Sequence, residues 1–164
     1  MNLIKKSQKI AVFGSNGMVG SALCKLFKYK GYNKILSPTK KELNLLDFNE
    51  IKDWFCQFKP EIVILCAAKV GGIYSNNIYP ADFICENLKI QTNVIEISWK
   101  SGVKKFIFLG SSCIYPKFSN QPIEEESLLT GPLEPTNEWY AISKISGIKL
   151  CEALRKQYNF DAIS

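Results

Sequence analysis

Tyr140, Ala141, Ile142, Ser143 and Lys144 spell YxxxK. On a helix, an i, i+4 spacing puts the phenol and the ammonium on one face. A free phenol, with a pKa near ~10, is a poor acid or base at neutral pH. A neighbouring ammonium favours the phenolate and is expected to lower that value. Lys144 can also hold the ribose of a nicotinamide cofactor. The pattern alone is common by chance, and the competing reading is a surface tyrosine beside an exposed lysine. Ser111 and Cys113 weigh against that reading, because they lie at the C-terminal end of a strand-like run, KFIFLGS from Lys105 to Ser111. Their i, i+2 spacing puts them on one face if the strand persists that far. A hydroxyl there can bond a substrate carbonyl beside Tyr140, and a thiol there can act as a base when held as thiolate. The alternatives are a strand-end turn serine and a cysteine that fills apolar space. The chain has no histidine, so proton chemistry falls to Tyr, Lys, Cys or a carboxylate.

A second constellation lies near the start. Gly14, Ser15, Asn16, Gly17, Met18, Val19 and Gly20 form GxxGxxG between an apolar run and a helical pattern. Gly14 permits a tight turn, Gly17 lets backbone approach a pyrophosphate, and Gly20 allows close helix–strand contact. The helix N-terminus then offers free N–H groups and a positive dipole end to the anion. An NAD site places Asp or Glu roughly 20 residues on, against the ribose 2′-hydroxyl. Here the segment is Ser37-Pro38-Thr39-Lys40-Lys41, with no carboxylate before Glu42. Lysines suit a 2′-phosphate, so NADP is the expected cofactor, with Lys40 its partner. A merely solvated lysine loop is the alternative.

These residues need a scaffold that brings strand ends together. Lys9 to Ser15 reads as a buried strand and Met18 to Lys30 as a helix, with Val19, Leu23, Leu26 and Phe27 near helical spacing. Lys34 to Ser37 is a short strand, and Asn49 to Phe58 a helix carrying Ile51, Trp54, Phe55 and Phe58. Glu61 to Ala68 is apolar throughout and reads as a strand covered on both faces. Ala81 to Ser101 is a long helix, Lys105 to Ser111 a strand, Tyr115 to Glu138 a loop, and Trp139 to Tyr158 a helix. Phe160 to Ser164 opens a fifth strand. Strict alternation predicts an α/β, doubly wound parallel sheet with right-handed crossovers. Residues 1–164 read as one dinucleotide-binding domain of the NAD(P)-binding Rossmann type. Such sheets usually continue past the switch point, so the chain is expected to be a fragment that stops near the start of the fifth strand. Apolar surface on the strand nearest the switch point is then expected to lie uncovered, with marginal stability.

Bulk properties narrow the classes. The chain has 164 residues, 46% hydrophobic and 22% charged, which is ordinary for a globular protein. Its formal charge of +6 comes from scattered lysines rather than a basic block, so nucleic-acid binding is not expected. No apolar run reaches the ~20 residues of a membrane helix. Met1 to Lys9 lacks the apolar stretch of a secretory leader. Cys24, Cys56, Cys66, Cys85, Cys113 and Cys151 form no CxxC, and most stand in apolar runs. Buried reduced thiols and a cytoplasmic location are expected, and no metal site.

Together these pieces resemble the extended short-chain dehydrogenases/reductases. More narrowly, GSNGMVGSAL (Gly14 to Leu23), KELNLLD (Lys41 to Asp47), AAKVGGIYSNNIYPADFI (Ala67 to Ile84), FLGSSCIYPK (Phe108 to Lys117) and LEPTNEWYAISKISGIKLCE (Leu133 to Glu152) are similar to the GDP-L-fucose synthase family. The resemblance covers essentially the whole chain. It implies an NADPH-dependent oxidoreductase and isomerase of nucleotide-sugar metabolism, an epimerase-reductase acting on GDP-4-keto-6-deoxy-D-mannose. It implies that Leu109, Gly110, Ser111 and Ser112 line the cofactor near the nicotinamide. By the same resemblance Lys144 holds the ribose and tunes Tyr140, Tyr140 protonates the C4 oxygen, and Ser111 polarises that carbonyl. Cys113 matches the base that removes protons at C3 and C5. A homodimer through the two long helices is implied as well. The family's epimerisation acid is a histidine beyond the YxxxK helix, which this sequence lacks. The isolated chain is therefore expected to be impaired. The alternatives are a non-catalytic dinucleotide-binding remnant or another nucleotide-sugar epimerase of the superfamily. Dehydratases of the superfamily carry Thr-Asp-Glu where this chain has Ser111-Ser112-Cys113.

Overall fold

The alternation of strands and helices builds one parallel sheet. In this computed structural model, residues 4–164 are described; Met1 to Leu3, part of the segment read for a leader, lie outside them. The strands are β1 (Ile10–Phe13), β2 (Ile35–Leu36), β3 (Ile62–Leu65), β4 (Lys105–Phe108) and β5 (Ala162–Ile163). The longer helices are α1 (Met18–Tyr29), α2 (Phe48–Phe58), α4 (Pro80–Lys100) and α5 (Glu138–Tyr158), with a short α3 (Ile73–Ile78) between β3 and α4. The sheet order is β2-β1-β3-β4-β5, every pairing parallel. The chain reverses direction across the sheet between β1 and β3, which makes that gap the switch point.

Side-chain alternation divides the core in two. Ala11, Phe13, Val63, Leu65, Phe106 and Phe108 point to the face covered by α2, α4 and α5. Ile10, Val12, Ile62 and Ile64 point to the other face, against Leu23, Cys24 and Phe27 of α1. All eight residues of β1 and β3 are buried, as continuous apolar strands covered on both sides must be. The expected bare surface at the switch point is thus absent, because α1 lies over it. The half-open positions are instead Ile107 and Ile163, paired in register on the α1 face of β4 and β5.

Other expectations need correction. Val19 and Leu26 are 45% and 50% exposed, so the buried stripe of α1 is narrower than its apolar spacing suggests. α3 lies between the third strand and the long helix, where the sequence pattern assigns no element; its six residues leave Ile73 and Tyr74 exposed, so it carries no apolar stripe. A 3₁₀ turn at Glu125–Ser127 interrupts the long loop. Of the cysteines only Cys151 is buried, whereas Cys56 and Cys85 are exposed. Both stand on amphipathic helices, where an apolar-looking neighbourhood in sequence includes the solvent side.

Helix ends follow local chemistry. Pro80 opens α4, where its missing N–H costs nothing. Asp47 caps α2, its Oδ1 accepting from Asn49 N at 2.8 Å and Glu50 N at 3.0 Å. Asp47→Ala is expected to lower stability by about 1 kcal/mol in urea denaturation, the usual worth of such a cap. No change would show that the cap is redundant.

Candidate active site at the switch point

The glycine loop follows β1 directly. Gly14 adopts φ +85°, and a Cβ there would stand 2.6 Å from Ala67 N, on the chain leaving β3. The ends of β1 and β3 therefore approach as only glycine allows. A Cβ at Gly20 would collide with Gly14 O, so the first turn of α1 presses on the loop. Gly17 sits before α1 with no side-chain cap, leaving the N–H groups of the first turn free for an anion.

A cleft of about 710 Å³ opens at this point. Gly14, Gly17, Met18, Val19 and Gly20 line it, together with Lys40 and Leu109. Ser15 and Asn16 lie outside this lining; the Ser15 hydroxyl instead donates to Ser37 O at 3.3 Å, tying the loop to the end of β2. The Glu42 carboxylate accepts from Thr39 N at 2.7 Å, and that bond holds it below the usual carboxylate range. It thus caps its own turn, and Lys40 is the charged side chain from this turn on the cleft.

Sequence reasoning missed two walls of the cleft. Leu43 to Leu46 form one. Ala67 to Val70 form another, held by Asn87 of α4. Asn87 accepts from Lys69 N at 2.8 Å and donates to Lys69 O at 2.9 Å, while the Lys69 ammonium pairs with Glu86 and Asp82. The Glu86 hydrogen bond is the main cause that raises the Lys69 ammonium. A polar residue on the buried face of a helix, Asn87 at 2% exposure, is the signal that marks such a clasp.

The catalytic candidates gather beside Leu109. β4 ends at Phe108, earlier than the sequence suggests, so Ser111 and Cys113 do not share a strand face. Ser111 instead caps a 3₁₀ turn, Ser112–Ile114, with its Oγ accepting from Cys113 N at 3.2 Å. The turn brings both residues to the start of α5, where Ser111 reaches Tyr140. Gly110 and Ser112 belong to the same passage but do not line the cleft.

Lys144 is only 3% exposed. Its Nζ donates to Leu109 O at 2.8 Å and stands 4.7 Å from the Phe108 ring centroid and 5.9 Å from that of Tyr140. Burial pushes this ammonium down to about 8, against a smaller upward pull from Cys66. Burial also pushes the Tyr140 phenol up; the Ser111 hydrogen bond pulls it back and Cys113 adds to the rise. The expected lowering of Tyr140 by Lys144 is thus not the balance found here. Desolvation is the largest influence on the phenol, and the Lys144 ammonium is directed at the Leu109 carbonyl. A phenol held protonated in this way suits proton donation.

Comparison with known proteins bears on the fold and the family. Residues 10–164 match the NAD dependent epimerase/dehydratase family. The chain is 57% identical, over 99% of its length, to a putative GDP-L-fucose synthase 2 of Arabidopsis thaliana, of which it covers 49%. It is 50% identical, over 94% of its length, to the GDP-L-fucose synthase of Escherichia coli K12, of which it covers 48%. It superimposes with a TM-score of 0.95 on a GDP-D-glycero-L-gluco-heptose synthase from Campylobacter jejuni, solved in the presence of NADPH, at 36% identity, covering 98% of this chain and 47% of that one. The chain thus spans about half the length of the curated relatives it matches. With its parallel Rossmann-type sheet, its glycine loop at the switch point and this match across nearly its whole length, the chain belongs to the NAD dependent epimerase/dehydratase family.

Proposed function

We propose that this chain is the dinucleotide-binding and catalytic part of an NADP-dependent epimerase-reductase that converts GDP-4-keto-6-deoxy-D-mannose to GDP-L-fucose. One observation carries the reading: a glycine cradle with a free helix N-terminus, Lys40 and the Leu109 edge of the Tyr140–Lys144 cluster all meet at one switch-point cleft. The residues fit the cofactor. The cleft offers N–H donors where a pyrophosphate needs them and a lysine, with no competing carboxylate, where a 2′-phosphate needs it. NADPH, when bound, supplies the hydride for C4 of the sugar.

The protein's own groups handle the protons. Ser111 polarises the C4 carbonyl by donating to its oxygen. Tyr140, kept protonated by burial, gives its proton to the same oxygen as the carbon is reduced. Lys144, as ammonium, offsets the charge of the phenolate left behind and orients the ribose. Cys113, as thiolate, removes the acidified protons at C3 and C5, next to the ketone. The family resemblance assigns the return of a proton to a histidine, and the chain has none. By itself it is therefore expected to bind dinucleotide without completing the conversion; robust turnover by the purified chain would overturn that expectation. The reading includes a homodimer through α4 and α5, which lie against each other, and action in the cytoplasm, in keeping with six unpaired cysteines. Among the described residues no helix is long and apolar enough to cross a membrane.

The test is a titration with NADPH and NADH followed by nicotinamide fluorescence. NADPH is expected to bind at least about tenfold more tightly, a difference of ~1.4 kcal/mol. Lys40→Ala should erase that preference. Gly17→Asp, which puts a carboxylate where the pyrophosphate sits, should abolish binding of both. Equal affinities in the unaltered chain would overturn the NADP preference, and binding of neither would overturn the cofactor reading.

A further inference from the structure

Asparagine is favoured just before a helix because its side-chain oxygen accepts from first-turn N–H groups. Asp47 does this before α2. Asn137 stands at the corresponding place before α5 and does not: it makes no side-chain cap. Its Nδ2 donates instead to Cys113 Sγ at 3.3 Å. Its Oδ1 is buried without a hydrogen-bond partner. Forgoing a cap and burying an unpaired acceptor both disfavour the folded state. The Asn137 backbone carbonyl accepts from Ala141 N at 3.0 Å, which begins the helix but leaves the first-turn N–H groups without a side-chain cap.

What the arrangement does is place an N–H donor on a sulfur. A thiolate only accepts hydrogen bonds, so a donor aimed at it favours the ionised form over the thiol. The reverse orientation of the carboxamide would offer an acceptor to an S–H and favour the neutral form. The other anchor of the turn, Ser111 Oγ to Cys113 N at 3.2 Å, fixes backbone and leaves the sulfur to Asn137. Tyr140 is the titratable group of α5 coupled to Cys113; protonated, it adds no negative charge beside the sulfur.

We infer that Asn137 is a positioning residue for Cys113, its carboxamide N–H holding the sulfur in place as a hydrogen-bond acceptor. The inference rests on the reading of Cys113 as the base of the epimerisation and deepens it.

The experiment measures alkylation of Cys113 by iodoacetamide between pH 6 and 10 in the intact chain. The Cys113-containing peptide is quantified by mass spectrometry, so that the exposed Cys56 and Cys85 do not interfere. Asn137→Asp keeps the size but replaces the donor by a carboxylate, and Asn137→Ser retains a capping group too short to reach the sulfur. Both variants should displace the rising limb of the rate upward by about one pH unit and slow alkylation at pH 7 about tenfold. A merely structural change would alter the plateau rate, through access, without moving the limb. The carboxylate of Asn137→Asp raises the thiol by charge alone, so the limb of the uncharged variant decides; if Asn137→Ser fails to fold, Asn137→Ala takes its place. A limb unmoved in the uncharged variant, with unchanged circular dichroism, overturns the inference. The readout needs no turnover. Loss of the epimerase-reductase reading, shown by absent NADPH binding, would leave a displaced limb standing as a property of this turn.

Discussion

Gly14→Ala is expected to lower the stability of the chain by about 4 kcal/mol and to abolish dinucleotide binding. Two costs combine. At φ +85° a side chain is strained by about 1–2 kcal/mol. The new Cβ also meets backbone, Ala67 N at 2.6 Å and Ala67 Cα at 2.8 Å, which cannot swing aside as a side-chain tip can. The β1 and β3 ends would have to part, and every one of their eight strand residues is buried. Two other glycines separate the costs. Gly102 has φ +72° with nothing near its Cβ position, so Gly102→Ala should show the conformational cost alone, about 1 kcal/mol. Gly72 has neither feature, and Gly72→Ala should change little. Urea denaturation of the three variants makes the comparison. Equal losses at Gly14 and Gly102 would show that the strand ends are not in forced contact.

Lys144→Met is expected to raise stability at pH 7 by about 1–2 kcal/mol while destroying the site. The folded-state ammonium, at about 8, lies below its ordinary 10.5. Below pH 8 the lysine is charged in both states, and folding bears the full cost of burying the charge. Between about 8 and 10.5 the unfolded chain binds more protons, so stability rises with pH. Above that window both states are neutral and the cost is gone. The swing is about 3 kcal/mol. Methionine removes it but forfeits the bond to Leu109 O, about 1 kcal/mol. The advantage of the variant should therefore hold below pH 8 and fade towards 10.5. A variant less stable than the unaltered chain at pH 7 would show that the bond to Leu109 outweighs desolvation. The same variant should bind NADPH more weakly. A charged group kept in an apolar setting at a cost in stability is the pattern expected of a working site.

Much of this chemistry is written locally. GxxGxxG between a strand and a helix, YxxxK at the start of a helix, and a lysine pair without a carboxylate at the end of β2 each declare a role from neighbouring residues. Alternating strands and helices likewise predict a parallel, doubly wound sheet, because connected parallel strands leave few other packings. The apolar runs of β1 and β3 predict complete burial, and the structure buries them.

Other features depend on residues far apart in sequence. Ser111 and Cys113 were expected on one strand face, but β4 ends three residues before Ser111 and a 3₁₀ turn delivers them. Where a strand stops depends on where its neighbour stops, and β3 ends in register with it at Leu65. The position of Tyr140 on the proton scale is set by burial under other elements, which no i, i+4 spacing reveals. Asn87 joins Lys69 across 18 positions and Asn137 joins Cys113 across 24; in sequence each is one more polar residue. The sequence by itself determined the period of each element, the turn that only glycine can make and the identities of the candidate reacting groups, because these follow from the chemistry of a few adjacent residues. Tertiary structure alone decided which polar atoms are desolvated and which partners they find, because solvation and hydrogen bonding depend on everything packed around an atom.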